Sequence, residues 1–273
     1  MKLNSEKLET ISKYVDGAII LGGGFVFCYS FIGPGLFYSE TKPVMSMFTV
    51  FSLVLMAISR LATKQLSTWS KPMTLALLGV VACGNFSSLW IQLASPELFL
   101  NTMPNIVPTS VMTSVGLITF CFYEILVAVR KTPSSAFILD DILLHFALFP
   151  GGLSLLGHVL GVQAYMGSGT DPRVGIGYLE MLFMGSYAVV AVISNPNLFL
   201  WKFLARSSFN RIIFALLFIN QYVAPVLVGI SFRSPGMSTM DYGIEYYVML
   251  AGVLATLIFL VINALGFNDE EVF

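Results

Sequence analysis

Charge is what this chain has least of. Only 11% of its 273 residues are Asp, Glu, Lys or Arg, against about 25% in ordinary soluble domains. Hydrophobic residues make up 56% and the mean hydropathy is +0.83. A soluble fold of this size has too little interior to hide that much apolar surface, so the solvent must be lipid. The net charge of -1 gives no sign of nucleic acid as a partner. The 3 cysteines, Cys28, Cys83 and Cys121, lie in apolar runs with no CxxC or Cys/His spacing. That excludes a zinc site and reads them as small buried hydrophobes. There are 2 histidines, His145 and His158; they are about 20 Å apart by helical rise, too far to ligate one haem iron together. HExxH and GxSxG are absent. Gly22-Gly23-Gly24 lacks the Lys-Ser/Thr of a phosphate loop. No Lys lies deep in an apolar run, which excludes a retinal Schiff base. No catalytic residue, metal ligand or cofactor is therefore expected. Period-2 alternation is absent too, which argues against a β-barrel.

What is present is a series of eight apolar segments, near 17–38, 43–63, 72–94, 107–129, 141–163, 174–194, 211–232 and 243–266. Each suits a helix crossing a hydrocarbon core of about 30 Å. The expected fold is an all-α integral membrane protein of eight transmembrane helices arranged as tandem hairpins. Residues 1–16 are polar, lack the basic-then-apolar order of a signal peptide, and are expected to form a cytoplasmic segment before the 17–266 bundle. Residues 267–273 form a short cytoplasmic tail. With both termini in the cytoplasm, eleven Lys and Arg fall in inner segments and three (Lys42, Arg173, Arg233) in outer loops, as the positive-inside rule requires. The outer loops are short and rich in Gly, Pro and Ser. The longest inner link, SNPNLFLWKFLARSSFNR, contains an amphipathic basic stretch suited to the membrane interface. The chain stops at NALGFNDEEVF, which leaves no room for a catalytic output domain.

A faint repeat runs through the first six segments. TKPVMSMFTVFSLVLMAIS, IVPTSVMTSVGLITFCFYEIL and DPRVGIGYLEMLFMGSYAVV each pass from an outer Pro or polar turn into a small/Met-rich start of a returning helix. Three tandem hairpins result, with the last two segments as a fourth.

The organising stretch is Leu143–Val162, LLHFALFPGGLSLLGHVLGV. It carries both histidines near its ends and Pro150-Gly151-Gly152 between them. A spanning helix accepts such a breaker only where neighbours or water satisfy the freed carbonyls, so this helix is expected inside the bundle and broken at its middle. Gly157 and Gly161 form a GxxxG that permits close backbone approach.

These elements resemble the multi-helix N-terminal membrane regions of bacterial sensor histidine kinases and diguanylate cyclases. Gly157, Leu160, Gly161, Val162 and Tyr165 occupy that group's helix-ending phrase and outer loop, Asn195-Pro196 its polar turn, and Asn263-Ala264 its exit towards a coiled coil or PAS domain. The likeness covers most of the chain and is strongest from about residue 104. In the group, returning helices often begin Pro-Asn-Thr-Ala. Here Pro43-Val44-Met45 and Pro108-Thr109-Ser110 keep the Pro and lack the Asn, Gly177-Tyr178 replace a frequent His-Thr, and Glu180 takes a normally apolar place. The resemblance implies a sensor of two-component or cyclic-di-GMP signalling in the bacterial cytoplasmic membrane, as a possible homodimer. With the kinase or cyclase half missing, the chain is an excised input domain or a stand-alone relative acting through a partner.

Ionisable groups inside a bilayer are candidates for function by default. His158 lies near the outer end of the fifth helix and Glu180 about two turns into the sixth. A tight loop joins these helices, so a His158–Glu180 pair is expected as a proton-sensitive or ligand-orienting unit. Near the inner face Asp141 and His145 share a side of the fifth helix, at the depth of Glu124, for which Arg60, Arg130 or Lys131 is the expected counter-ion. Asp140 and Asp141 suit a solvated helix start, favoured there by the dipole. Asn85, Gln92, Asn220, Gln221, Tyr222 and Asn263 are neutral polar residues within spans. Pro225 removes the amide that would bond the Gln221 carbonyl, so Asn220, Gln221 and Tyr222 are expected around a kink lining a small cavity.

The leading expectation is a sensory or regulatory membrane module. It binds a small or lipophilic signal, or a partner, around helices five to seven, and passes a helix movement to a cytoplasmic or membrane signalling partner. A small-molecule transporter or channel is the alternative, since transporters place sites at discontinuous helices near the midplane. A structural subunit of a larger membrane complex is a third.

Overall fold

The computed structural model describes residues 5–32, 45–63, 70–94, 109–130, 138–167, 175–233, 238 and 241–270. Among these there is no strand. Helices α1 (Ser5–Ile32), α2 (Met47–Thr63), α3 (Ser70–Ala94), α4 (Val111–Val129), α5 (Ile138–Leu160), α6 (Tyr178–Ser194), α7 (Phe199–Arg206), α8 (Ser208–Phe232) and α9 (Ile244–Glu270) occur in that order, with a 3-10 turn at Gln163–Met166 after α5. Every expected apolar segment overlaps one of these helices; residues 33–38 of the first lie outside the described residues. By length and composition 6 of them suffice to cross a bilayer. The 17 residues of α2 fall short alone. So does α6, unless it is taken together with α7, from which it is bent by 68°. The protein is thus an all-helical chain with the helices of an integral membrane protein.

Its surface is what lipid demands. Leu21 and Phe25 on α1, Trp90 and Leu93 on α3, Leu216 on α8 and Ile258 on α9 are all exposed. In water such a belt would be an aggregation surface.

Packing divides the helices into two groups that share α5. Helices α1, α2, α3, α4 and α6 pack together around Leu53, Met56, Leu117, Phe120 and Tyr187, and the N-terminal half of α5 joins them through Leu144 and Ala147. The C-terminal half of α5 turns instead to the α8–α9 hairpin, through Leu153, Leu156, Tyr165, Met249 and Tyr222. The short α7 attaches the other end of that hairpin, with Phe199 and Phe203 against Leu260. Its Lys202 and Arg206 stay outside this contact and exposed, as an amphipathic interfacial helix requires.

Three expectations change here. First, α1 begins at Ser5, and the polar segment before residue 17 is its opening turns; Ser12 and Asp16 are 0% exposed. Ser12 Oγ lies 2.7 Å from Ser194 Oγ at the end of α6, so burial of this polar segment is offset by partners inside the bundle. Second, α5 runs unbroken through Pro150-Gly151-Gly152. Pro150 is buried against α4, where a Cβ on Gly116 would meet Pro150 Cγ at 3.5 Å. Gly152 faces α8 and α9: a Cβ there would lie 2.8 Å from Met249 Cε and 2.5 Å from Tyr222 Cε1. Gly152 therefore serves close packing of α5 against the hairpin. Third, Gly157 and Gly161 end α5. Gly161 adopts φ +68, and the Val162 N–H donates to the Gly157 carbonyl at 2.8 Å. This is the 6→1 bond of a Schellman cap. The chain then folds back over Gly157, where a Cβ would strike Val162 O at 2.9 Å and Tyr165 Cβ at 3.0 Å. That phrase makes a helix end within the chain.

Candidate functional site: three polar nodes along the bundle

The repeat has a structural meaning. Ser46, Ser110 and Gly177 precede α2, α4 and α6 as N-cap positions. The Val50, Ser114 and Met181 N–H groups bond to their carbonyls at 3.1, 2.9 and 2.9 Å. Ser110 Oγ accepts from the Thr113 N–H at 3.1 Å, and Ser46 Oγ from the Phe48 N–H at 3.3 Å, as capping serines do. Three residues on from each cap stand Thr49, Thr113 and Glu180, and these meet. Thr49 Oγ1 donates to Glu180 Oε1 at 3.0 Å. The Thr113 hydroxyl and the Gly177 backbone bond to the same carboxyl group. Ser110 and Thr113 share a hydroxyl contact of 2.8 Å, and Ser46 touches Thr109 at 3.3 Å. Gln92 on α3 donates to the Thr109 carbonyl. Glu180 is 1% exposed, and Thr49 and Thr113 are 0%. Among the described residues no cation pairs with Glu180.

His158 is not its partner. His158 Nε2 donates to the Ile176 carbonyl at 2.9 Å, and Ser154 Oγ, one turn earlier on α5, donates to the same oxygen at 2.9 Å. The imidazole also stacks on Tyr178 with centroids 3.9 Å apart. The expected His158–Glu180 pair is replaced by a tether: His158 fixes the segment entering α6, one residue before the Gly177 cap.

A second node sits deeper. Arg60 on α2, 4% exposed, reaches Glu124 on α4 with Nε 3.0 Å from Oε1 and Nη2 at 2.9 Å. Its Nη1 lies 3.4 Å from Asp16 Oδ1. The Tyr187 hydroxyl donates to Glu124 Oε1 at 2.7 Å, and the guanidinium carbon lies 3.8 Å over the Tyr187 ring. A fork-shaped donor between two carboxylates and above an aromatic face is the arrangement that lets Arg stay charged without water. Of the expected counter-ions, Arg60 is the one that meets Glu124, and Arg130 binds Asp140 instead; Lys131 lies outside the described residues. Arg60 is therefore an interior charge.

A third node lies where α4 and α6 end and α5 begins. Arg130, just past α4, grips Asp140 through two bonds of 2.8 and 2.9 Å. Asn195 Nδ2 donates to Tyr123 Oη at 3.2 Å and lies 3.4 Å from Asp140 Oδ2. Tyr123 in turn donates to the Ala191 carbonyl at 3.3 Å. Asp141 accepts the Phe199 and Leu200 N–H groups at 2.8 and 3.0 Å, so it caps α7. Asp140 and Asp141, expected at a solvated start, are 0% and 6% exposed and are cross-links. His145 shares the helix with Asp141 and lies against the Val253 backbone of α9; it joins no carboxylate among the described residues.

The helix-seven expectation is only partly met. The helix α8 is continuous through a buried Pro225. Gln221 is 1% exposed, packed where a Cβ on Gly252 would meet its Cα at 2.8 Å. Tyr222 lies between α8 and α5, and Asn220 faces outward. These three do not converge on one point. Asn85 bonds to Ser52 Oγ at 3.0 Å, which links α3 to α2. Asn263 bonds to the Phe259 carbonyl at 2.8 Å, one turn earlier on its own helix.

Sequence reading missed Asp16, Tyr187, Thr49 and Thr113, took Asn195 only as a turn residue, and counted Arg60 with the inner-segment charges while naming it as one of three counter-ions for Glu124. One signal was present: Glu180, Tyr187 and Asn195 fall at spacings of 7 and 8 along α6 and its C-terminal cap, and share one face. It also missed a clasp beside the hairpin, where Tyr165 Oη donates to Glu245 Oε1 at 2.7 Å and Arg233 Nη1 reaches the same oxygen at 2.6 Å. Burial pushes the Tyr165 phenol up to about 12, so it remains a donor. Comparison with family models, with curated proteins and with solved structures found no match for this chain.

Proposed function

We propose that this chain is a membrane-embedded sensory or regulatory module that passes a helix movement to a signalling partner. The observation that carries this reading is the placement of the α8–α9 hairpin. It rests on α5, on the 3-10 turn after α5 and on α7, while the buried polar nodes around Glu180 and Arg60 lie in the other helix group. A change in that group reaches the hairpin through α5, the one long helix common to both. In this reading all eight long helices span, with α2 and α6 short spans, and both termini lie on the Lys/Arg-rich side in a bacterial cytoplasmic membrane. Cysteines placed at exposed Lys71 and Lys202, and at Ser238 on the opposite side, would label from opposite faces of sealed vesicles.

The test is a fusion of residues 1–267 to a dimeric diguanylate cyclase core. Cyclase output that changes with Glu180→Gln or Gly252→Leu, at unchanged membrane level, supports the reading. Output identical across these variants and the parent sinks it.

The transporter reading retains one observation in its favour, the polar stripe Glu180–Tyr187–Asn195 on α6 and its cap. Against it, Met184 and Phe120, 2% and 0% exposed, occupy the interval between Glu180 and Tyr187. Flux in proteoliposomes abolished by Glu180→Gln would establish it.

A further inference from the structure

Two carboxyl groups deep in the bundle differ in the kind of partner they have. Glu124 is held by Arg60, whose guanidinium has only donors to offer. Glu180 is different. Its side-chain partners, Thr49 and Thr113, are hydroxyls, and a hydroxyl can donate or accept. With Glu180 ionised, both threonines donate to it. With Glu180 neutral, its own O–H donates to one threonine, which rotates and accepts. Either state leaves every group bonded, so the proton can come and go without orphaning a buried partner.

We propose that Glu180 is an exchangeable proton-binding site at the junction of α2, α4 and α6.

Among the described residues, the surroundings of Glu180 contain no counter-charge that would fix its state. From α2 it meets Thr49, and from α4 Thr113; the nearest charged side chains on those helices, Arg60 and Glu124, are committed to each other. From α5 comes His158, engaged with the Ile176 carbonyl. On α1 the titratable groups toward that end are Cys28, which is exposed, and Tyr29, whose ring lies against Phe25. On α6 itself stand Tyr178, stacked on His158, and Tyr187, bonded to Glu124. An ionised carboxylate there relies on hydroxyl and backbone donors against the cost of burial, and the two contributions oppose each other. The hydroxyl contacts continue past Thr113. Thr113 touches Ser110 at 2.8 Å, and Ser110 is the N-cap of α4, at the very end of that helix. There a Cβ on Gly167, in the turn after the 3-10 segment, would come within 3.8 Å of Ser110 Oγ. The hydroxyl pair thus extends from the carboxyl group one step toward the start of α4, where Ser110 is still buried.

Protonation changes how three helix starts are held. Ionised Glu180 draws the Thr49 and Thr113 hydroxyls onto one point; neutral Glu180 satisfies one of them as donor and loosens its hold on the other. The proton is thereby a signal for the module proposed above. Its consequence for output rests on that reading, whereas binding itself does not.

The experiment is an infrared pH titration of the full chain in liposomes, from mildly alkaline to mildly acidic buffer. A carboxylic-acid C=O band that grows on acidification in the parent and is missing in Glu180→Gln supports the site. Thr49→Val and Thr113→Val each remove one donor from the ionised form and preserve volume; each is expected to move the midpoint to higher pH by roughly one unit. These two variants keep the test decisive if Glu180→Gln does not fold. A parent with no titrating band, a band that survives in Glu180→Gln, or midpoints unmoved in both threonine variants overturns the proposal. Because the band is read without any output domain, a silent cyclase fusion with a titrating Glu180 would sink the sensory reading and leave the proton site standing.

Discussion

Arg60 and Glu124, 64 residues apart in the chain, meet with Nε 3.0 Å from Oε1 and almost no water access. Removing one partner of such a pair leaves an uncompensated buried charge, which costs about 3–5 kcal/mol. Arg60→Met is expected to be severe, since both Glu124 and Asp16 lose their cation. Arg60→Lys also loses the fork that serves the two carboxylates and the stacking on Tyr187. The double variant Arg60→Met/Glu124→Leu should be less destabilised than the two single changes summed. Thermal unfolding in detergent reads this directly; strict additivity would show that the pair is not coupled.

The end of α5 depends on two glycines for different reasons. Gly161 needs its left-handed φ of +68, and an alanine there is strained by about 1–2 kcal/mol. Gly157 needs space, because a Cβ would strike the Val162 carbonyl oxygen at 2.9 Å. Gly157→Ala should therefore loosen the turn that carries Tyr165, and its effect should exceed that of Gly151→Ala, where nothing lies within 4 Å. Comparing melting temperatures of the three variants tests the order.

At Gly252 a Cβ would meet the Cα of Gln221 at 2.8 Å. Backbone cannot swing aside as a side chain does, so Gly252→Ala should push α9 away from α8. A cysteine pair across the two helices, cross-linked efficiently in the parent, should cross-link poorly in this variant. Unchanged cross-linking would mean that the hairpin absorbs the methyl group elsewhere.

The Tyr165–Glu245 bond has a defined pH window. The folded phenol is pushed above its usual 10.0 to about 12 by burial. The neutral form is the one the fold favours, so its contribution is complete below pH 10 and is lost as pH rises through about 12. Tyr165→Phe removes both this bond and the one from the Gly243 N–H, at 2.7 Å. A loss of about 1–2 kcal/mol is expected at neutral pH, fading in alkaline buffer. Denaturation profiles of parent and variant that run parallel to high pH would argue against the assignment.

The lipid-facing class and the position of every apolar helix are set by the sequence alone. A chain with this little charge has no soluble solution, and backbone amides in lipid must close on themselves. The three helix starts are legible for a local reason: Ser46, Ser110 and Gly177 each cap a helix within one turn of themselves. Asp16 reads as part of a polar leader, because a hydropathy window averages it with Lys13 and Tyr14 and cannot see Arg60. The tertiary structure alone decides which polar residues meet. In water a helix announces its buried face by an apolar stripe; in lipid the outer face is as apolar as the core, so periodicity carries no azimuth. Hence in the sequence Arg60 is only one of three candidates for Glu124, His158 looks like the natural partner of Glu180, and Pro150-Gly151-Gly152 like a break. Only packing turns Arg60 inward to Glu124, gives Glu180 two threonines from other helices, and uses Gly152 and Gly252 to bring α5, α8 and α9 together.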